Sequence, residues 1–281
     1  MSVAIEKYIE SKTNSKTGVE NLGKCANFCK KNICLSFAYT DAEKKCDTYS
    51  SMFIEETGIG LTSAAYFSKL PKSCSDLGPD SPSGVYQIAL TSGESFKVYC
   101  DMRTADGPWT VIQNRYDGSE YFYREWDKYK KGFGDLNGEF WIGNDIIHIL
   151  TQTASVLRIE LEAYPYKKGY AEYSMFKVTD ESDGYKLTLT ASTRNVSRDA
   201  MMFHSGQSFS TKDRGVDVNC AISARGGWWY GNCHQTNLNG KYTTNHWETS
   251  AENFITWWYF PGPGKKIPLK KTRMMIRLAR V

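Results

Sequence analysis

Eight cysteines, grouped as Cys25, Cys29, Cys34 and Cys46, then Cys74 and Cys100, then Cys220 and Cys233, constrain this chain more than any other feature. The count is even and the members cluster, so closure within each group is the expected pairing. A zinc site is disfavoured: there is no C-x-x-C pair, and the run C-x3-C-x4-C-x11-C has no histidine at zinc-ligand spacing. Disulfides imply an oxidising compartment, so a secreted, extracellular protein is expected. The start, MSVAIEKYIESKTNSK, is too charged and polar for a secretory leader. The expectation is a mature or recombinant form, with an added Met as the favoured explanation.

Charge and hydropathy exclude two classes of partner. With 35 basic and 31 acidic residues the net charge is +4, and no run of like charge suggests a nucleic-acid surface. Apolar residues make up 41%, yet no uninterrupted stretch approaches the roughly 20 residues that span a bilayer.

At 281 residues the chain exceeds the usual domain, and the Ser-, Pro- and Gly-rich stretch SKLPKSCSDLGPDSPSG places a border near Pro71. The segment before it, residues 1–70, is small enough to need staples. Val19 to Lys31 reads as a helix carrying Cys25 and Cys29 on one side, and Ile33 to Tyr39 as a strand presenting Cys34. This favours Cys29 with Cys34 and Cys25 with Cys46. The pattern CANFCKKNICLSFAYTDAEKKC resembles the PAN/apple family, in which two such disulfides bind a helix to a hairpin. Such modules bind proteins or sugars.

Residues 74–281 read as α+β with an antiparallel sheet. Strands are expected at 85–88, 96–101, 110–113, 155–162 and 170–178, with helices at 121–131 and 144–151. The stretch 205–264 is irregular and rich in Gly, Asn and Trp, which in a compact domain points to function. The blocks GVYQI, VYCDM, DGSEYFYREWDKY, GFGDLNGEFWIGN, GGWWYGNCHQTNLNGKY and KKTRMMIRL follow one another as in the fibrinogen C-terminal-like (fibrinogen-related) domain, which this segment resembles. The resemblance implies a central antiparallel sheet with a loop-rich ligand-binding subdomain, and disulfides Cys74–Cys100 and Cys220–Cys233, in agreement with local pairing. The family includes lectins, clotting proteins, receptor ligands and matrix proteins, so function must be argued from the site.

The resemblance also carries site residues. SFSTKDRGVDVNCA lies where the family binds calcium: Asp213 matches the first ligand, Gly215 replaces a second Asp, Val216 stands at an Asn-like position, and Asp217 and Asn219 could substitute in part. Lectin-type relatives hold an acetyl group on backbone N–H donors beside a cis peptide, within an apolar cup. Asn232, Cys233 and His234 match the donor segment, which implies a cis Asn232–Cys233 bond, and Ala251 matches the pocket floor. Ala224 and Ser250 stand where relatives have tyrosines, so the cup is incomplete. Trp228 or Trp229 is expected in the core, and Trp258 and Tyr259 near the ligand. On this reading His234→Ala weakens ligand capture and leaves the fold intact.

Catalytic patterns are missing: there is no G-x-S-x-G, no H-E-x-x-H and no phosphate-cradling loop, and His204 has no companion visible in sequence. The pairs Lys265-Lys266 and Lys270-Lys271 read as solvated surface rather than a heparin-like contact. Asn195 heads the one glycosylation sequon. The expected protein is a secreted, calcium-assisted lectin-type recognition protein for glycans or acetylated ligands, with a role in innate defence. The rival is a protein-binding receptor ligand or matrix module. With no cysteine left over and no collagen triplets or heptads, any homo-oligomer is expected to be noncovalent.

Overall fold

The computed structural model describes residues 12–20, 24–25, 36–40, 42–49, 64–68, 71–89, 95–245, 251–262 and 266–279. The chain forms two compact units, Met1–Pro108 and Trp109–Val281. The composition shift near Pro71 falls inside the first, where the Pro71 carbonyl accepts the Ala89 N–H at 2.8 Å.

In the first unit, β1 (Lys12–Lys16), β2 (Ser36–Thr40), β3 (Lys45–Tyr49) and β4 (Ala64–Ser68) form an antiparallel sheet in the order β1-β3-β2-β4. Cys46 on β3 is bonded to Cys25, as the spacing predicts, with Cα atoms 5.4 Å apart and both residues fully buried. Lys24 and Cys25 are helical, but Val19 and Glu20 are not. The Val19 N–H instead donates to the Lys44 carbonyl at 2.8 Å, so the helix begins later than its periodicity suggests. Cys29, Cys34 and the expected strand start at 33–35 lie outside the described residues. A second hairpin, β5 (Gly84–Ala89) and β6 (Ser95–Asp101), buries alternate side chains Tyr86, Ile88 and Val98, and Cys100 on it is bonded to Cys74.

The second unit is built on an antiparallel sheet in the order β12-β11-β10-β15-β7, from β7 (Trp109–Arg115), β10 (Ser155–Ala163), β11 (Lys167–Val178), β12 (Leu187–Arg194) and β15 (Leu269–Leu278). Strict alternation along β10 turns Leu157, Ile159, Leu161 and Ala163 into the core and leaves Arg158, Glu160 and Glu162 on the other face, the pattern of a sheet with one wetter side. Two short strands, β8 (Phe133–Gly134) and β9 (Phe140–Trp141), pair with each other, and β9 continues onto β7.

Of the two expected helices, α2 (Asn144–Leu150) matches its sequence range, whereas α1 spans only Trp126–Lys131. The residues before α1 are diverted to other work. Phe122 is buried with the Arg115 guanidinium 3.7 Å from its ring centroid, and its carbonyl accepts the Tyr129 hydroxyl at 2.6 Å. The first N–H of the helix, that of Trp126, donates to Asp213 Oδ1 at 3.0 Å. A cap from a segment 87 residues away therefore marks the start, and no local signal could have shown it.

Candidate functional site

The irregular stretch is anchored by aromatic packing. Trp228 and Trp229 are both fully buried, with ring centroids 5.1 Å apart, and Phe209 bridges Trp229 to Tyr129 at 5.3 and 5.2 Å. Such pairs each add about 0.5–1.5 kcal/mol beyond their burial. Gly227 makes this packing possible, since a Cβ there would sit 2.5 Å from Tyr129 Cε2. The GGWWY string is thus core, as expected for at least one of its tryptophans.

His204, without a companion in sequence, is the strut of this region. Its Nδ1 lies 2.6 Å from the Trp229 carbonyl, and its Nε2 lies 3.3 and 3.2 Å from the N–H groups of Gln235 and Thr236. A carbonyl partner requires a donor and N–H partners require an acceptor, so the neutral Nδ1–H tautomer is dictated. Burial pushes its pKa down to about 3, opposed by the bond to Trp229.

From this strut the chain runs into the predicted donor segment. Cys233 is bonded to Cys220 of α3 (Val218–Ala224), with Cα atoms 5.1 Å apart. The Asn232–Cys233 bond is not among the cis peptides of the described residues, all of which precede proline. Asn232 instead takes a left-handed conformation, φ 54°, and the Gly231 N–H closes the turn on the Cys233 carbonyl at 2.9 Å. Asn tolerates that region through its short polar side chain, so the turn needs no cis bond.

The His234 side chain is only 1% exposed. Its Nε2 donates to the Glu252 carbonyl at 2.9 Å, and Lys266 Nζ donates both to the His234 carbonyl, 3.0 Å, and to Glu252 Oε2, 2.5 Å. Burial first, and Lys266 second, lower the His234 pKa to about 4. The imidazole therefore braces the turn Ala251–Asn253 rather than facing a ligand. Contrary to the sequence expectation, His234→Ala should lower stability by about 2 kcal/mol, because the Glu252 carbonyl loses its donor and a buried ring is removed. Thermal unfolding followed by near-UV dichroism measures this, and an unchanged Tm would return His234 to the ligand surface.

The other predicted residues are distributed unequally. Ala224 is buried, and its carbonyl accepts Asn237 Nδ2 at 2.8 Å, so it ties α3 to β13 (Thr236–Asn237). Ala251 opens the turn packed against α3, while Ser250 lies outside the described residues. The pairing of β13 with β14 (Thr256–Trp257) brings Trp258 beside the donor segment, its N–H bonded to the Gln235 carbonyl at 2.9 Å. Trp258 and Tyr259 are half-buried, and the Arg198 guanidinium lies 4.7 and 5.0 Å from their ring centroids. Asn195 is exposed, with Oδ1 accepting the Tyr170 N–H at 2.6 Å.

Oxygens of the expected calcium loop are engaged within the protein. Calcium takes about six to eight oxygens. Here Asp213 Oδ1 already accepts the Trp126 N–H and the Thr211 hydroxyl, and the Arg214 carbonyl accepts the Thr211 N–H at 2.8 Å. Val216 is 82% exposed, and Asn219 is exposed as well. Among the described residues no three His, Cys, Asp or Glu side chains come together as a metal cage. Gly215, φ 121°, stands where a Cβ would lie 2.5 Å from Ser210 Oγ, so this loop path also excludes an aspartate at that position.

Residues 70–279 match the family described as fibrinogen beta and gamma chains, C-terminal globular domain, and residues 3–70 match the PAN domain. Ryncolin-4 of Cerberus rynchops is 43% identical over 212 residues, 73% of this chain, and the match spans 61% of the length of that relative. The fibrinogen-like globe domain of human ANGPTL2 superposes with a TM-score of 0.67 at 37% identity, covering 72% of this chain and 94% of that one. Lamprey fibrin D-dimer, complexed with the peptide ligand Gly-His-Arg-Pro-amide, superposes at 0.63 with 32% identity, covering 74% and 72%. Among the described residues no helix is long and apolar enough to cross a membrane. A PAN module followed by a mostly antiparallel, disulfide-closed domain, with the fibrinogen match covering 210 of 281 residues (70–279), places the chain in the fibrinogen C-terminal globular domain family.

Proposed function

We propose that this is a secreted, non-catalytic recognition protein whose second domain binds a glycan or another acetyl-bearing ligand at the Cys233–His234 segment, without need of calcium, in a role such as innate defence. One observation carries the reading. The carbonyls of Cys233 and His234 are pinned by Gly231 and Lys266, while among the described residues neither backbone N–H of the pair meets an acceptor. Two adjacent donors on a braced turn suit a ligand carbonyl, and half-buried Trp258 supplies an apolar neighbour for a methyl group. Catalysis is disfavoured because both His204 and His234 are held neutral by burial and engaged with main-chain atoms. Among the described residues no cysteine is unpaired.

An array of acetylated and deacetylated sugars, probed in calcium and in chelator, tests this. Binding confined to acetylated ligands and equal in both buffers is expected; uniform silence would sink it, and loss in chelator would reinstate a calcium site at Asp213. The similarity to a fibrin D-dimer in complex with a peptide favours a second reading, in which the same segment takes a protein terminus or loop. A partner retained in the presence of saturating free sugar would support that reading instead.

A further inference from the structure

The lysine pair 270–271, unremarkable as a string, gains neighbours from the strand register. On β11, β10 and β15 the residues Lys168, Glu162 and Lys271 stand opposite one another in one row. The register shifts between Glu162 and Ala163, and in this bulge Lys270 also reaches Glu162, donating to Oε1 at 2.8 Å. Burial works against the charge of Glu162, but the hydrogen bond from Lys270 and the charges of Lys271, Lys270 and Lys168 hold its pKa below the ordinary value. Lys168 and Lys271 are exposed, and the neighbouring Tyr166 ring is 79% exposed with Lys270 Nζ 5.3 Å from its centroid.

The rows farther along the sheet are different. Arg158 sits between Glu160 and Glu172 at 3.0 and 2.5 Å and is thereby neutralised. At the hairpin end of the sheet, by contrast, three lysines face one glutamate across two strand spacings, about 9.6 Å. Lysine is a strongly hydrated point charge that attracts anions by charge density rather than by bidentate fit. A linear polymer bearing closely spaced sulfates matches such a row, and the exposed Tyr166 offers a ring for a sugar face. The disulfides place the chain where such extracellular polymers occur.

We propose that Lys168, Lys270 and Lys271, with Tyr166, form a binding surface for a sulfated polysaccharide, separate from the Cys233–His234 segment. Heparin-agarose with a sodium chloride gradient is the direct probe, using the full chain. The wild type should be retained, and Lys168→Glu/Lys271→Glu should elute at lower salt with roughly tenfold weaker binding. Lys72→Glu/Lys128→Glu, which makes the same change in net charge at exposed positions elsewhere, should leave retention close to wild type. Equal loss in both variants would reduce the effect to net charge and overturn the proposal. So would equal retention on desulfated heparin, equal affinity for duplex DNA, or elution by free N-acetylated sugar, the last of which would assign the binding to the Cys233–His234 segment.

Discussion

Lowering the pH from 7.5 to 5.0 should remove about 4 kcal/mol of folding stability, roughly half from each of His204 and His234. Both are buried and neutral, with pKa values lowered from 6.5 to about 3 and about 4. A depressed pKa means that the unfolded chain binds more protons in the interval. Stability is therefore fully present above pH 6.5 and is lost as the pH falls towards 4 and 3. The geometry explains why folding resists protonation: a proton on His204 Nε2 would face the N–H groups of Gln235 and Thr236, donor against donor. Urea midpoints at the two pH values, read by tryptophan fluorescence, measure the loss. His204→Gln should show about half the pH dependence of the wild type, and a wild-type midpoint that does not move would refute the assignment. The carboxylates whose pKa is lowered, such as Glu181 and Glu162, titrate below this window and do not obscure it.

Glu139→Ala should cost about 3–5 kcal/mol, since it leaves a buried guanidinium without its counter-charge. Glu139 and Arg115 have side chains 0% and 1% exposed and meet at 3.3 Å. One carboxylate oxygen accepts the N–H groups of Tyr116, Asp117 and Gly118 at 2.5, 2.8 and 2.9 Å. Desolvation lowers the Arg115 pKa, with Glu139 opposing it, so the pair must be removed together to avoid a stranded charge. Arg115 also donates to the Gly240 carbonyl at 2.9 Å, and the next residue, Lys241, is bonded to Asn253 and Ile255. The variant should therefore loosen the 251–255 turn as well as the sheet. Replacement of both partners, Arg115→Met with Glu139→Leu, should recover part of the loss in a double-mutant cycle. Additive single effects would show that the two groups act independently.

Much of the fold was legible because it depends on local spacing. The period-two pattern of β10 and β11, the Cys25–Cys46, Cys74–Cys100 and Cys220–Cys233 bridges, and the burial of one of the pair Trp228 and Trp229 follow from short separations or from recognised blocks, and the structure buries both tryptophans. The candidate site was only half legible. Its segment was found, but His234 faces inward, Ala224 lends a carbonyl rather than a pocket wall, and Asp213 caps a helix. Each of these roles is set by a partner between 13 and 87 residues away, mostly a main-chain atom, and main-chain atoms leave no mark in a sequence.

The cysteine grouping and the alternation of apolar residues indicated disulfide closure and an antiparallel sheet, because both act over distances the chain spans locally, and the blocks from GVYQI to KKTRMMIRL carried the resemblance to the domain family. The tertiary structure alone decided the charge states of His204 and His234, the pairing of Arg115 with Glu139 and the gathering of Lys168, Lys270 and Lys271. Burial, register and electrostatic neighbourhood arise only when remote segments share one small volume, where desolvation and Coulomb attraction are strong enough to assign each side chain its role.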